Sequence, residues 1–127
     1  MKTLIRLMII SMLMVVAGPA YSEAIQIFNC QLEDEATNDD AFDMAEKWLK
    51  AAKTIKGGKN LQAFIRFPVA ASVDDIDFKF VIATPDFADW GAFTDAYEVS
   101  PIAEIDDEFE KIAICSEASL WEGEEIK

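Results

Sequence analysis

Asp86 and Asp89 are the pair of carboxyl groups best placed for acid–base chemistry. They lie one helical turn apart at the start of a segment that carries Phe87, Trp90, Phe93 and Tyr97. Trp90 beside them would raise a carboxyl pKa by desolvation. Two carboxyl groups with separated pKa values in one cleft can act as acid and base. Helix starts, however, recruit acids for the helix dipole alone. That account covers both residues, so no catalytic residue is assigned. Arg66 and Tyr97 are the other polar groups that a cofactor-free enzyme could use.

Much other chemistry is excluded by residue type. The chain has no histidine, which removes Ser-His-Asp and Cys-His constellations and the usual zinc ligand sets. Gly57-Gly58 follows a helix pattern rather than a strand, so it is no phosphate-binding loop. The acidic stretches 33–40 and 74–77 lack the D-x-[DN]-x-[DN]-G order of a calcium loop and read as solvated acids. No metal and no cofactor is expected. Lys47, Lys50, Lys53, Lys56 and Lys59 form the one basic cluster. They could hold an anionic ligand, but balancing the helix dipole and pairing with the helix's own acids explains most of them.

These residues need elements to position them. Phe78, Phe80 and Ile82 alternate with Lys79, Val81 and Ala83, which predicts a strand over 78–83 with both faces largely covered. Thr84-Pro85 then reads as a cap followed by a first helical residue. Phe87, Trp90, Phe93 and Tyr97 recur at helical spacing, and this stripe reads either as core or as the mouth of an aromatic pocket. Upstream, residues 23–32 read as a strand, apolar in both directions and hence interior. Thr37 caps a helix running to about Lys56, with Ala41, Met44, Ala45, Trp48, Leu49, Ala52 and Ile55 on its apolar face. Within it, Asp43 with Lys47 and Glu46 with Lys50 are spaced to pair. Residues 61–68 read as a strand ended by Pro68, which suits a sheet edge. Ser100-Pro101 breaks the chain, 104–108 reads as an acidic turn, 109–115 as the last strand and 116–127 as a loosely held acidic tail.

The first stretch has a different character. Lys2 and Arg6 precede an uncharged apolar run over 7–17, and Ala20-Tyr21-Ser22 supplies small residues at the positions a signal peptidase reads. Residues 1–22 are therefore expected to be a secretory signal peptide, with a periplasmic or secreted single domain over 23–127. An uncleaved anchor is the competing reading. All 24 acidic residues but only 9 of the 11 basic ones lie in 23–127, a net charge of −15. Such a surface disfavours nucleic acid and anionic membranes. Cys30 and Cys115 are the two cysteines. In an exported chain they are expected to pair, with two buried thiols as the alternative. Closing a loop of this length contributes about 4 kcal/mol in the chain-entropy model.

Strand, helix, strand, strand, helix, strand is the split βαβ order of a ferredoxin-like α+β domain, a four-stranded antiparallel sheet with two helices on one face. In that topology the first and last strands are neighbours, which places Cys30 near Cys115. Apolar residues on the face away from the helices predict sheet-to-sheet pairing in a two-fold homodimer.

Over about residues 24–116, the element order and the segment TPDFADWGAFTDAY, with Phe87, Trp90, Phe93 and Tyr97, resemble the dimeric α/β-barrel superfamily. Its members include antibiotic-biosynthesis monooxygenase-like and stress-responsive domains. The resemblance implies binding of a small apolar molecule between helix and sheet. Other members bind haem there; haem-degrading and several enzymatic members use a histidine, and this chain has none.

Three functions are compatible with these residues. The first is an exported module that binds a small apolar or aromatic ligand, with Trp48, Phe87, Trp90, Tyr97 and Asp86 as candidate contacts. The second is an interaction protein using its acidic surface. The third is a cofactor-free monooxygenase-like enzyme.

Overall fold

The computed structural model describes residues 22–70 and 76–126. The expected signal segment, apart from Ser22, and the acidic pair Asp74-Asp75 lie outside the described residues. The elements are β1 (Glu23–Leu32), α1 (Asn38–Ala52), β2 (Gln62–Arg66), β3 (Phe78–Thr84), α2 (Phe87–Tyr97), α3 (Ile102–Phe109) and β4 (Ala113–Gly123). The four strands form one antiparallel sheet in the order β2-β3-β1-β4. β3 thus splits the β1-α1-β2 unit, and the fold is ferredoxin-like α+β.

Local sequence explains most of these elements. Thr37 caps α1: its side chain accepts from the Asp40 N–H while the Asp40 carboxylate accepts from the Thr37 N–H, a reciprocal capping box. Gly57, at φ +80°, turns the chain after α1. A Cβ there would stand 2.4 Å from the Asp89 carbonyl and from the Phe93 amide nitrogen. Only glycine lets this turn sit against the backbone of α2. β1 is central, hydrogen-bonded on both sides, as its two-sided apolar pattern requires. β2 lies at the edge, as Pro68 indicates.

The core occupies one face of the sheet. Cys30 of β1, Phe78, Phe80 and Ile82 of β3 and Ala113 of β4 pack with Trp48 of α1, Phe93 of α2, and Ile102 and Phe109 of α3. Trp48 meets Phe80 edge-on at 5.1 Å between ring centroids, and Phe80 meets Phe109 at 5.5 Å. Cys30 stands directly opposite Cys115 across β1 and β4, and the two form a disulfide. The opposite face carries Ile25 and Ile27, Phe64, Val81, Ala83 and Trp121, which fall into register across the strands. No helix of the described residues covers it.

The C-terminal third departs from the sequence reading. The expected acidic turn over 104–108 is inside a third helix. Ile102, Ile105 and Phe109 recur at steps of three and four, and Ile102 and Phe109 are buried. Eight residues are too few for a stable isolated helix, so tertiary packing stabilises this one. The last strand consequently begins at Ala113 rather than 109. It continues through the expected loose tail to Gly123, paired with β1 along its length. Phe28 faces both Glu117 and Ala118 at a β-bulge, where the register shifts and Glu117 takes φ 51°. Helix α1 ends at Ala52 rather than Lys56, and β2 is confined to Gln62–Arg66. Helix α2 begins at Phe87, so neither Thr84 nor Pro85 plays its expected role. Thr84 is instead buried at the end of β3, with its hydroxyl donating to the Asp86 carbonyl at 3.0 Å.

Candidate functional site

Between the sheet and α2–α3 lies a cavity of about 660 Å³, within the range of small-molecule sites. Gln26 and Phe28 of β1 and Phe80 and Ile82 of β3 form its floor. Trp48 of α1, Trp90, Phe93 and Tyr97 of α2, and Asp106 and Phe109 of α3 form its walls, with Glu98, Glu110 and Ile114 among the remaining lining residues.

Periodicity brings the α2 residues together. Trp90, Phe93 and Tyr97 sit at i, i+3 and i+7 and turn one stripe inward. Phe93 and Tyr97 contact each other and Trp48. The Trp90 indole N–H donates to Gln26 Oε1 at 3.3 Å, tying α2 to the floor.

The polar centre of the cavity is a cluster of three side chains from three helices. The Trp48 indole N–H lies 3.1 Å from both Tyr97 Oη and Asp106 Oδ1, and Tyr97 donates its hydroxyl proton to Asp106 Oδ2. Burial raises the Asp106 pKa above the usual aspartate value, and the hydrogen bonds from Tyr97 and Trp48 oppose that rise without cancelling it. Burial first, and the bond to Asp106 second, push the Tyr97 phenol up as well. At neutral pH the phenol is therefore a hydrogen-bond donor, not a base.

The structure separates the predicted site residues into two groups. Trp48, Trp90 and Tyr97 meet at the cavity. Phe87 and Asp86 do not line it. Phe87 is 40% exposed and is the first residue of the helix. Asp86 is the N-cap of α2, accepting from the Asp89 N–H at 2.7 Å. The Asp86 carboxylate is thereby engaged in capping the start of the helix, and neither Asp89 nor Arg66 lines the cavity. Among the lysines, Lys47 bridges to Glu108 of α3 instead of Asp43, fastening α1 to α3.

The residue that sequence reasoning missed is Asp106. It was hidden in a run of acids, and its burial depends on α3. The available signal was the Ile102-Ile105-Phe109 spacing, which marks a helical face and places Asp106 beside it.

No protein-family model matches the chain. No curated protein matches it significantly in sequence. Among solved structures it is similar to a chlorite dismutase-like protein, at 11% identity and a TM-score of 0.41, over 78% of this chain and 42% of that one. The chain thus spans less than half of that protein's length. No residue role is taken from that likeness. No group of three or more potential metal ligands occurs among the described residues. None of their helices is long and apolar enough to cross a membrane.

Proposed function

We propose that this chain is an exported, disulfide-stapled binding module that holds a small apolar or aromatic molecule between its helices and its sheet. The cavity of about 660 Å³ walled by Trp48, Phe80, Trp90, Phe93 and Tyr97 carries this reading. Its aromatic rings offer large apolar area, and Gln26, Tyr97 and Asp106 offer the few polar contacts that orient a ligand. The Cys30–Cys115 bond supports an oxidising compartment, in line with removal of residues 1–22 on export.

The module is a homodimer in this proposal, paired through the sheet face that carries Ile25, Ile27, Phe64, Val81, Ala83 and Trp121. Phe64 and Trp121 are 45% and 58% exposed there, an arrangement that a second sheet would cover.

Native mass spectrometry of the protein purified from the exported fraction without reductant tests these points together. The expected species is a dimer starting at Glu23, lighter by the two hydrogens of each disulfide and carrying additional non-covalent mass. That mass is lost in Trp90→Ala. A dimer that never carries or accepts a small molecule would overturn the binding reading, and a monomer would overturn the pairing of sheets.

A further inference from the structure

The cavity's lining has a marked imbalance of charge. It presents seven aromatic rings and three carboxylates, Glu98, Asp106 and Glu110, and no lysine or arginine. Glu98 and Glu110 are exposed, whereas Asp106 is set further in, half-buried among rings. The Lys47–Glu108 ion pair is made by exposed side chains outside the lining. Asp106 accepts from two neutral donors, the Trp48 indole on Oδ1 and the Tyr97 hydroxyl on Oδ2. An ionised carboxylate offers about four acceptor positions, so these two bonds leave about half of its capacity unused at a residue that lines the cavity.

An anion entering this space would meet three like charges with no compensating cation. A neutral ligand would leave Asp106 ionised in a partly desolvated site, which is costly without an opposite charge. A cation would relieve that cost. Aromatic faces add to the effect, because the ring quadrupole attracts positive charge most strongly where water is excluded. Trp48 and Tyr97 flank the carboxylate, and Trp90 lines the same cavity.

We propose that the cavity selects an organic ammonium ion: a compact aromatic or alkyl body with its cationic head set against Asp106 and the surrounding rings. This inference rests on the cavity being a ligand site and assigns the class of ligand it takes. The excess of acids over the rest of the surface would steer such a ligand toward the protein.

The test is a tryptophan-fluorescence titration of the disulfide-bonded protein at neutral pH with three probes of similar shape. They are benzyltrimethylammonium, its neutral carbon isostere neopentylbenzene, and the anion phenylacetate. The ammonium ion is expected to bind about tenfold more tightly than the neutral isostere, with phenylacetate weakest. Asp106→Asn should bring the ammonium ion and the neutral isostere to within about twofold of each other. Trp90→Leu, whose side chain is only half-buried, should weaken ammonium binding severalfold more than neutral binding, and it serves if Asp106→Asn does not fold. If neopentylbenzene binds as tightly as the ammonium ion, the cavity is a ligand site but the charge inference is wrong. If none of the three probes binds, both the inference and the ligand site fall.

Discussion

The two faces of the sheet are built from the same strands and come to opposite ends. On one face, Phe78, Phe80 and Ile82 are covered by three helices and sealed by a core disulfide. On the other, Val81 and Ala83 of the same strand are buried, while Phe64 and Trp121 remain exposed. The covered face is not fully packed. Between the sheet and α2–α3 it keeps a cavity with a polar cluster inside. The contrast shows that an apolar pattern specifies burial but not what does the burying. Helices of the same chain complete one face; the proposed dimer completes the other.

The largest expected effect lies on the covered face. Phe80→Ala removes a ring held between Trp48, Phe28 and Phe109, and should cost about 3–5 kcal/mol in urea unfolding. Phe64→Ala, one strand away on the open face, should cost less than about 1 kcal/mol when measured on dilute monomer. Equal losses would mean that the open face is packed within a single chain. Replacing Cys30 and Cys115 together by alanine should lower stability by about 4 kcal/mol, read from the shift in urea midpoint against the oxidised protein. Little change would mean that β1–β4 pairing alone closes the loop. At the bulge, Glu117→Gly relieves a left-handed backbone at an L-residue and should raise stability by about 1 kcal/mol, less the exposed hydrogen bond from Asn29. A loss would show that this bond holds the bulge.

The smallest effect is a pH dependence, and its sign separates the buried acid from the surface acids. Asp106 has a folded pKa raised above 3.8 by burial. The folded state therefore holds its proton more tightly, and this residue's contribution falls as pH rises from about the unfolded value through the folded one. Asp40 and Glu108 have lowered pKa values, through hydrogen bonds from Thr37 and Lys47 respectively. Their contributions are present above the unfolded value and are lost as pH falls through the folded one. Asp106→Asn should remove only the first component, so the difference between wild-type and variant stability profiles should slope downward with rising pH above about 3.8. A flat difference would place Asp106 in water.

Much of the fold was legible because its signals are local. The capping box at Thr37 and Asp40, the stripe at Trp48, the two-sided apolar run of β3 and the α2 spacing of Trp90, Phe93 and Tyr97 each act within one element. The two cysteines agreed with the pairing of the first and last strands that this order implies. The C-terminal third was read poorly for a different reason. The bulge at Glu117 and Ala118 shifts the side-chain alternation of β4 in mid-strand, so no single period spans it. Helix α3 is short, and Ile102 and Phe109 hold it by packing into a core built from residues distant in sequence. The Asp86–Asp89 spacing matches that of an N-cap, in which the Asp86 carboxylate accepts from the backbone N–H three residues on.

The sequence by itself determined the type and order of most elements, because periodicity and capping depend on residues a few positions apart. It also determined that histidine chemistry is absent. Only the tertiary structure decided that Trp48, Tyr97 and Asp106 meet, since they come from three helices and are separated by 49 and 9 residues along the chain. Their shared hydrogen bonds and the raised pKa of Asp106 follow from that convergence, because desolvation is a property of the surroundings and no local pattern of residues carries it.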